Sequence, residues 1–391
     1  MNPPSPFGLT LVVWSMAVFW TSLEAIRRTI WYDRSVRRGK LPQTIGPEKP
    51  SVLVVRPCAG AEPSLERTLS SLAQAKRSFD VVCRLAIESE QDAAIGAARR
   101  AVEVLEKAGI RAEIVYTGGG GPNRKVAQLA AVANDADVIV IADSDVDLAN
   151  VDLDVLVAPV VSAKPAWVAW APPVECAEPR TWGDRASNAV LDASLHSFPI
   201  LARLDPRGLV GKLFAIRKPA LHAIGGFESL VKYLGEDMEI ARRIREHGGR
   251  VVSVPLLARS LASGRPWSAI VARFARWLTV IRAQRSILLW SYPGLFFATW
   301  PIVLVSLWLS RVEPLPGYLA ATLVLTTRLL MTIFASHRAR RTLRPLGILR
   351  DAILADVMLA CAFAYALRTR TVTWRNHVLV VDRSGILRES S

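Results

Sequence analysis

Charged side chains are missing from the first 23 residues, and cysteine is scarce throughout. The four cysteines stand at 58, 83, 176 and 361, with no Cys-x-x-Cys pair and no zinc spacing, so they read as reduced, structural thiols of a cytoplasmic domain. No Gly-Lys-Ser/Thr follows the glycine run Gly118–Gly121, which excludes a phosphate loop and leaves a mobile connection. A cleaved signal peptide is excluded too. It would need charge before its apolar core and a small-residue site after it, and both are absent. Acidic residues are outnumbered, 34 against 49 lysines and arginines, for a net charge of +15. Many of the bases flank apolar runs, where anionic lipid headgroups account for them better than nucleic acid does.

What the chain has instead is apolar length. Its 391 residues are 51% hydrophobic, with a mean hydropathy of +0.27, which fits a catalytic domain plus a few membrane segments. Phe7 to Leu23 form an apolar run, followed by Arg27, Arg28, Arg34, Arg37, Arg38 and Lys40. By the positive-inside rule this is an uncleaved anchor (1–26) with cytoplasm on its C-terminal side. Residues 286–310 hold a second uncharged run long enough to span a bilayer. Weaker segments follow at about 317–336 and 351–367, interrupted by Arg328 and Asp356, with an arginine-rich loop between them. Unpaired charges at such depth are expensive, so Arg328 and Asp356 are expected to pair. Parity puts the tail 368–391 outside, whereas its basic residues place it inside, with the fourth segment re-entrant.

Between these apolar regions, strands and helices alternate. Strands are expected at 51–55, 81–87, 111–116 and 138–142, with helices at about 63–76, 91–108 and 123–134 between them. This predicts an α/β domain with a doubly wound parallel sheet, whose strand ends gather polar residues at one rim. Beyond it, 183–204 reads as one apolar helical stretch, Gly208–Ile216 as a strand, and Gly235 opens a helix to about His247.

The rim carries the chemistry. The apolar run Val138–Ala142 leads into Asp143-Ser144-Asp145. Two hard carboxylates at a strand end suit Mg²⁺ or Mn²⁺ carrying a substrate diphosphate, although Asp and Ser are also ordinary turn formers. Glu236 and Asp237 start a helix, where carboxylates serve as caps; Asp237 can alternatively act as a general base towards a hydroxyl. Over 267–285, Trp267, Ile270, Val271, Phe274, Trp277 and Ile281 recur at helical spacing, an amphipathic helix for a membrane surface. On it Arg273 and Arg276 share a face and can meet lipid headgroups or a diphosphate leaving group. Arg282, further along, is expected to be dispensable.

Asp92, Asp143-Ser-Asp145, Gly-Glu-Asp237 and Arg273-x-x-Arg276-Trp277, in that order, resemble the D, DxD, D, (Q/R)xxRW pattern of inverting membrane glycosyltransferases with a GT-A fold. The pattern is most similar to the ceramide glucosyltransferase family and the related hopanoid-modifying enzymes. The resemblance implies a Rossmann-like GT-A domain over 50–260, an interfacial helix at 266–285 and a transmembrane region at 286–367. It further implies that Asp92 contacts the uracil or ribose and that Asp143 and Asp145 hold nucleotide and Mn²⁺ or Mg²⁺. Lys125 falls at a donor-site position, Asp237 is the base, and Arg273, Arg276 and Trp277 close over the diphosphate. The implied enzyme is multi-pass in a membrane, such as a bacterial inner membrane, with its catalytic domain facing the cytoplasm. It would transfer a hexose from a UDP-sugar, UDP-glucose first, to a ceramide-like lipid acceptor, with no nucleic-acid partner. Hopanoid or polyprenyl-phosphate glycosylation and processive polysaccharide synthesis are the rivals.

Overall fold

The computed structural model of the chain describes residues 5–132, 136–342, 344–369, 371–374, 377–382 and 385–389. The chain opens with helix α1 (Pro6–Arg37), then runs β1 (Val52–Pro57), α2 (Leu65–Ser70), β2 (Val81–Ile87), α3 (Ile95–Lys107), β3 (Arg111–Tyr116), α4 (Arg124–Val132) and β4 (Val138–Ala142). Next come β5 (Val146–Asp147), α5 (Leu153–Val161), β6 (Val168–Trp170), β7 (Pro173–Glu175), α6 (Trp182–Asp192), α7 (Phe198–Leu204), β8 (Leu213–Arg217) and α8 (Lys218–Ala223). After α9 (Glu236–Glu246), β9 (Val251–Ser253) and β10 (Ala258–Ser260), five helices follow: α10 (Trp267–Gln284), α11 (Ser286–Leu289), α12 (Thr299–Leu309), α13 (Pro314–Arg338) and α14 (Pro345–Arg368). The strands β11 (Thr371–Trp374), β12 (His377–Val381) and β13 (Leu387–Glu389) complete it. The end expected for the helix at about 134 lies outside the described residues.

Two compact units result. Asp33–Ala177, Asp205–Ser263 and Thr373–Ser391 make one, and Met1–Tyr32, Glu178–Leu204 and Gly264–Val372 the other. The first unit is built on a seven-stranded sheet in the order β3-β2-β1-β4-β8-β6-β9. The expected α/β class is present, and β1 to β4 pair in parallel. Every residue of β4 is buried, as a strand covered on both faces requires. Helix α3 turns Ala98, Ala101 and Leu105 inward at three- and four-residue spacing. It ends at Gly109, whose φ of +77° suits glycine, with Ile110 N–H closing on Leu105 O at 2.9 Å.

The sheet departs from the all-parallel expectation at β8, which runs antiparallel to both β4 and β6. An antiparallel strand begins where its neighbour ends. The start of β8 therefore lies at the carboxyl rim of β4, where Asp143 N–H donates to Lys212 O at 2.9 Å. Cys58 and Cys83 are buried in this unit, and burial pushes both thiols up to about 12, as inert structural cysteines require.

The second unit is helical. A reciprocal cap opens α6: Asp184 N–H donates to Thr181 Oγ1 at 3.0 Å and Thr181 N–H to Asp184 Oδ2 at 3.2 Å. The single stretch expected over 183–204 is two helices: α6 ends at Asp192, where Ala193 leaves the helical conformation, and Pro199 sits in the first turn of α7, where its missing N–H is tolerated. Helices α6, α10 and α14 pack together around Ile270, Phe274, Leu278, Met358 and Leu359. Part of the apolar stripe assigned to a membrane surface is thus buried against protein. Among the described residues α1 and α13 are long and apolar enough to cross a membrane. Segments 286–296 and 299–309 reach that standard only as a pair bent by 51°. Large apolar side chains stand exposed on them, including Val13, Trp20, Leu304, Trp308, Leu319 and Leu330. The expected pair is present: Arg328 Nη2 lies 3.0 Å from Asp356 Oδ1.

Candidate active site

The Asp143-Ser144-Asp145 segment is held in place by its backbone. Val146 N–H closes a turn on Asp143 O at 3.0 Å. Beneath it lies Arg56, fully buried on β1, with no carboxylate salt bridge among the described residues. Its Nη2 donates to the carbonyls of Asp143 (3.0 Å), Val146 (2.8 Å) and, more weakly, Ser144 (3.4 Å), and its Nη1 to Thr68 O (3.0 Å). Thr68 Oγ1 adds a 2.5 Å bond to Ser144 O. Burial of the guanidinium lowers its pKa, partly offset by Cys58, Cys83 and the Asp145 and Asp143 carboxylates. Sequence reasoning passed over Arg56 as the end of a strand. The signal was a charged residue inside an apolar strand, whose burial demands partners.

The turn brings both carboxylates to one place. Lys212, just before β8, sits 2.6 and 2.5 Å from the two oxygens of Asp145 and 3.5 Å from Asp143 Oδ2. Ser260 Oγ on β10 donates to Asp145 Oδ2 at 2.7 Å. Lys125 Nζ, from α4, lies 2.8 Å from Asp143 Oδ1 and 3.2 Å from Glu236 Oε1, and donates to Gly211 O at 2.8 Å. Burial disfavours the Lys125 ammonium, but Asp143 and Glu236 more than offset it and its pKa is raised. Its 2.8 Å contact with Asp143 is the shorter of its two carboxylate contacts, and the hydrogen bond to that oxygen adds to the rise. Lys212 is the second residue that sequence reasoning missed; only the antiparallel placement of β8 reveals it.

Gly211 joins this cluster to the candidate base. Its N–H donates to Asp237 Oδ2 at 3.0 Å, and Met238 N–H donates to Asp237 Oδ1 at 2.8 Å. A Cβ on Gly211 would stand 3.4 Å from both Lys125 Nζ and Asp237 Cβ, filling the cradle between them. Loss of solvent raises the Asp237 carboxyl to about 6, with Glu236 adding to the rise and the Gly211 N–H and Lys125 opposing it.

Four carboxylates (Asp143, Asp145, Glu236, Asp237) thus face two ammoniums. With all ionised, an excess of negative charge remains. Hard oxygens and a net negative field fit a divalent cation. Among the described residues no group of three His, Cys, Asp or Glu side chains is arranged to hold a metal unaided. Further ligands would have to come from a substrate.

Asp92 is not part of this network. Its Oδ1 accepts from Gly60 N–H (2.7 Å) and Ala94 N–H (2.8 Å), tying two rim loops together. Glu88 is neutralised by Arg124 at 2.8 and 2.6 Å. In the helical unit, Arg273 lies over the Trp277 ring, 5.0 Å from its centroid, and reaches Ser187 Oγ at 3.4 Å. Trp277 is stacked parallel to His196, whose Nε2 is 2.8 Å from Tyr292 Oη. Arg276 occupies the same helix, partly exposed. Arg282, further along, donates to the carbonyls of Ala366 and Thr369 at the end of α14.

Residues 10–387 match the sequence profile described as Glycosyl transferase family 21. No curated protein matches the chain in sequence. Among solved structures, it is similar to the Pyrobaculum calidifontis mannosyltransferase solved with GDP-Man and Mn²⁺. The two are 17% identical over 91% of this chain and 99% of that one, at a TM-score of 0.46. It is also similar to the Mycobacterium tuberculosis glucosyl-3-phosphoglycerate synthase solved with Mn²⁺, UDP and glucosyl-3-phosphoglycerate. There the identity is 16%, over 59% of this chain and 79% of that one, at a TM-score of 0.35.

Proposed function

Because the chain belongs to glycosyl transferase family 21, and is a glycosyltransferase, we propose that it moves a hexose from a UDP-sugar, UDP-glucose first, to a hydroxyl of a ceramide-like lipid. The transfer inverts the anomeric carbon. The acceptor oxygen attacks that carbon as its bond to the diphosphate breaks, the acceptor proton passes to Asp237, and UDP leaves. One observation carries this reading: a carboxylate raised to about 6 is fixed by Gly211 beside a paired-carboxylate turn of net negative charge. A base poised near the working pH takes a proton most effectively.

Asp143 and Asp145 would hold Mn²⁺ or Mg²⁺, which when bound neutralises the diphosphate. Lys125 keeps Asp143 and Glu236 oriented from one side while Lys212 does so for Asp145 from the other. Arg273 and Arg276 meet the departing UDP, a task for the guanidinium fork, and Asp92 contacts the uracil or ribose. The exposed apolar residues of α1, α12 and α13 support membrane residence with several passes. The arginine clusters at 27–38 and 338–350 support a catalytic unit on the cytoplasmic side.

The test is to incubate membranes bearing the protein with several UDP-sugars and a total lipid extract, and to read the products by mass spectrometry. A hexosylceramide that requires UDP-glucose is the expected product. A glycosylated hopanoid, polyprenyl phosphate or polymer in its place overturns the acceptor assignment. Calorimetry of UDP with Mn²⁺, positive for the parent and lost in Asp145→Ala, checks the donor half separately.

A further inference from the structure

The backbone just before the Gly235-Glu236-Asp237 motif is neither helix nor strand of the main sheet, yet it is held on both edges. On one edge Asn123 serves the odd positions: its N–H donates to Val231 O at 3.0 Å and its Nδ2 to Tyr233 O at 2.8 Å. On the other edge the even positions meet the end of the chain. Leu387 N–H donates to Lys232 O at 2.7 Å, and Leu234 N–H to Gly385 O at 3.2 Å, around a Tyr233–Ile386 antiparallel bridge. This pattern makes 233 and 386 a non-hydrogen-bonded pair, the closer kind across an antiparallel ladder.

The donating strand is itself braced. β13 pairs with β12, matching Val381 to Leu387 and Val380 to Arg388. Asp382 ties the turn between them, accepting from Ile386 N–H at Oδ1 (3.0 Å) and from Gly385 N–H at its carbonyl (3.1 Å). Gly385 there has a φ of +81°, which a side chain resists. Leu379, Val381 and Leu387 are buried. Leu234, at the receiving segment, is buried as well, so in the docked arrangement Gly385 O and not water satisfies its N–H.

We infer that the C-terminal hairpin is a positioning element of the active site. Through Gly385 and Leu387 it fixes residues 232–234 and so sets where Asp237 stands relative to Gly211 and the carboxylate turn. The inference rests on reading Asp237 as the base. It also bears on topology. The stretch 264–372 leaves the sheet unit and the chain then returns to it, so that stretch crosses a bilayer an even number of times. With 286–309 and α13 as the two crossings, α14, a single unbroken helix, stays on the arginine-rich side without crossing.

The experiment uses the full chain in bilayers, with Cys176 and Cys361 replaced by serine. Tyr233→Cys with Ile386→Cys is expected to form a disulfide under mild oxidation, since Cα atoms of such a pair stand about 4.5 Å apart. Absence of the cross-link overturns the docking. Leu387→Pro removes the one N–H that reaches Lys232 and leaves the β12 register in place. It should cut kcat about 10-fold or more, leave UDP affinity within about 2-fold, and speed amide exchange at 232–238 but not in β1 or β2. Leu387→Ala, which keeps the N–H, should retain most of the kcat. Unchanged kcat in Leu387→Pro overturns the positioning role. Should that variant not fold, the cross-linked pair carries the test: the oxidised form must turn over at least as fast as the reduced one, and inactivation by the cross-link overturns the inference. Arg388→Cys must be labelled from the same membrane face as Glu103→Cys, and opposite faces overturn the topology. Cross-linking and exchange need no activity, so they still report on docking even if Asp237→Asn shows the base reading to be wrong.

Discussion

The sheet unit and the helical unit each bury an ionic cluster, and the two are built to different ends. In the helical unit, Arg328 and Asp356 form a one-to-one pair with 7% and 3% of their side chains exposed. Arg328 also donates to the carbonyls of Ala193 and Ala352 at 3.3 and 3.0 Å. In the sheet unit, Asp143, Lys125 and Lys212 keep 18 to 21% exposure, and the carboxylates outnumber the ammoniums. A sealed, balanced pair has nothing left to bind. An accessible cluster with unbalanced charge does. Access and charge excess separate a site from a staple, and motif spelling alone does not.

The strongest way to break this comparison is to remove the candidate base. Asp237→Asn is expected to keep UDP binding while lowering turnover by about 10²-fold or more, the usual size of a lost general base. Near-parental turnover would reduce Asp237 to a helix cap. The same assignment fixes a pH dependence. The base works only when ionised, so turnover should fall as the pH drops through about 6 and level off above it. Glu236→Gln takes away one of the influences that raise Asp237 and should move that limb to lower pH; a limb that does not move assigns it to another group.

A smaller effect is expected beneath the Asp143-Ser-Asp145 turn. Arg56→Met removes donors from the carbonyls of Thr68, Asp143, Ser144 and Val146. Calorimetry should find Mn²⁺–UDP binding weakened by roughly 10-fold, about 1.4 kcal/mol, with turnover at saturation less affected. Smaller again is the effect of Lys212→Met. Its ammonium competes for the oxygens of Asp145, so Mn²⁺ should bind the donor-free protein a few-fold more tightly once it is gone. Weaker Mn²⁺ binding in that variant would make Lys212 a support of the turn and not a competitor.

The sequence revealed the parts of the site that lie along one element and missed those made by returning strands. Apolar runs ending in carboxylates revealed β4 and Asp143-Ser-Asp145, and a glycine before two acids revealed the start of α9. Lys125 was legible only through family resemblance. Lys212 was not legible at all, because its position depends on β8 running antiparallel, and no local pattern in Gly208–Ile216 encodes strand direction. Arg56 was hidden for a related reason: its acceptors are carbonyls, which every residue has. The break of 183–204 after Asp192 was not legible, because the apolar character runs on through it and Pro199 lies inside the second helix. The Arg328–Asp356 pair was legible because charge inside an apolar segment is costly enough to demand a partner.

That pair supplies the test with the smallest expected effect on chemistry. Neither residue belongs to the carboxylate cluster, so turnover per folded molecule should not change when the pair is altered. Stability should change. Removing one partner strands the other charge in a buried setting, at a cost of about 3–5 kcal/mol, so Asp356→Ala and Arg328→Ala should each lower the thermal midpoint and the yield in membranes. A charge swap, Arg328→Asp with Asp356→Arg, restores the attraction but moves the guanidinium to α14, away from the Ala193 carbonyl that Arg328 now meets. Recovery should therefore be partial, above the worse single variant and below the parent. A double variant no better than the worse single one would show that the carbonyl contacts, and not the ion pair, hold α13 to its neighbours. A loss of turnover per folded molecule in Asp356→Ala would mean that the sealed cluster is coupled to chemistry after all, and the distinction between staple and site would fail.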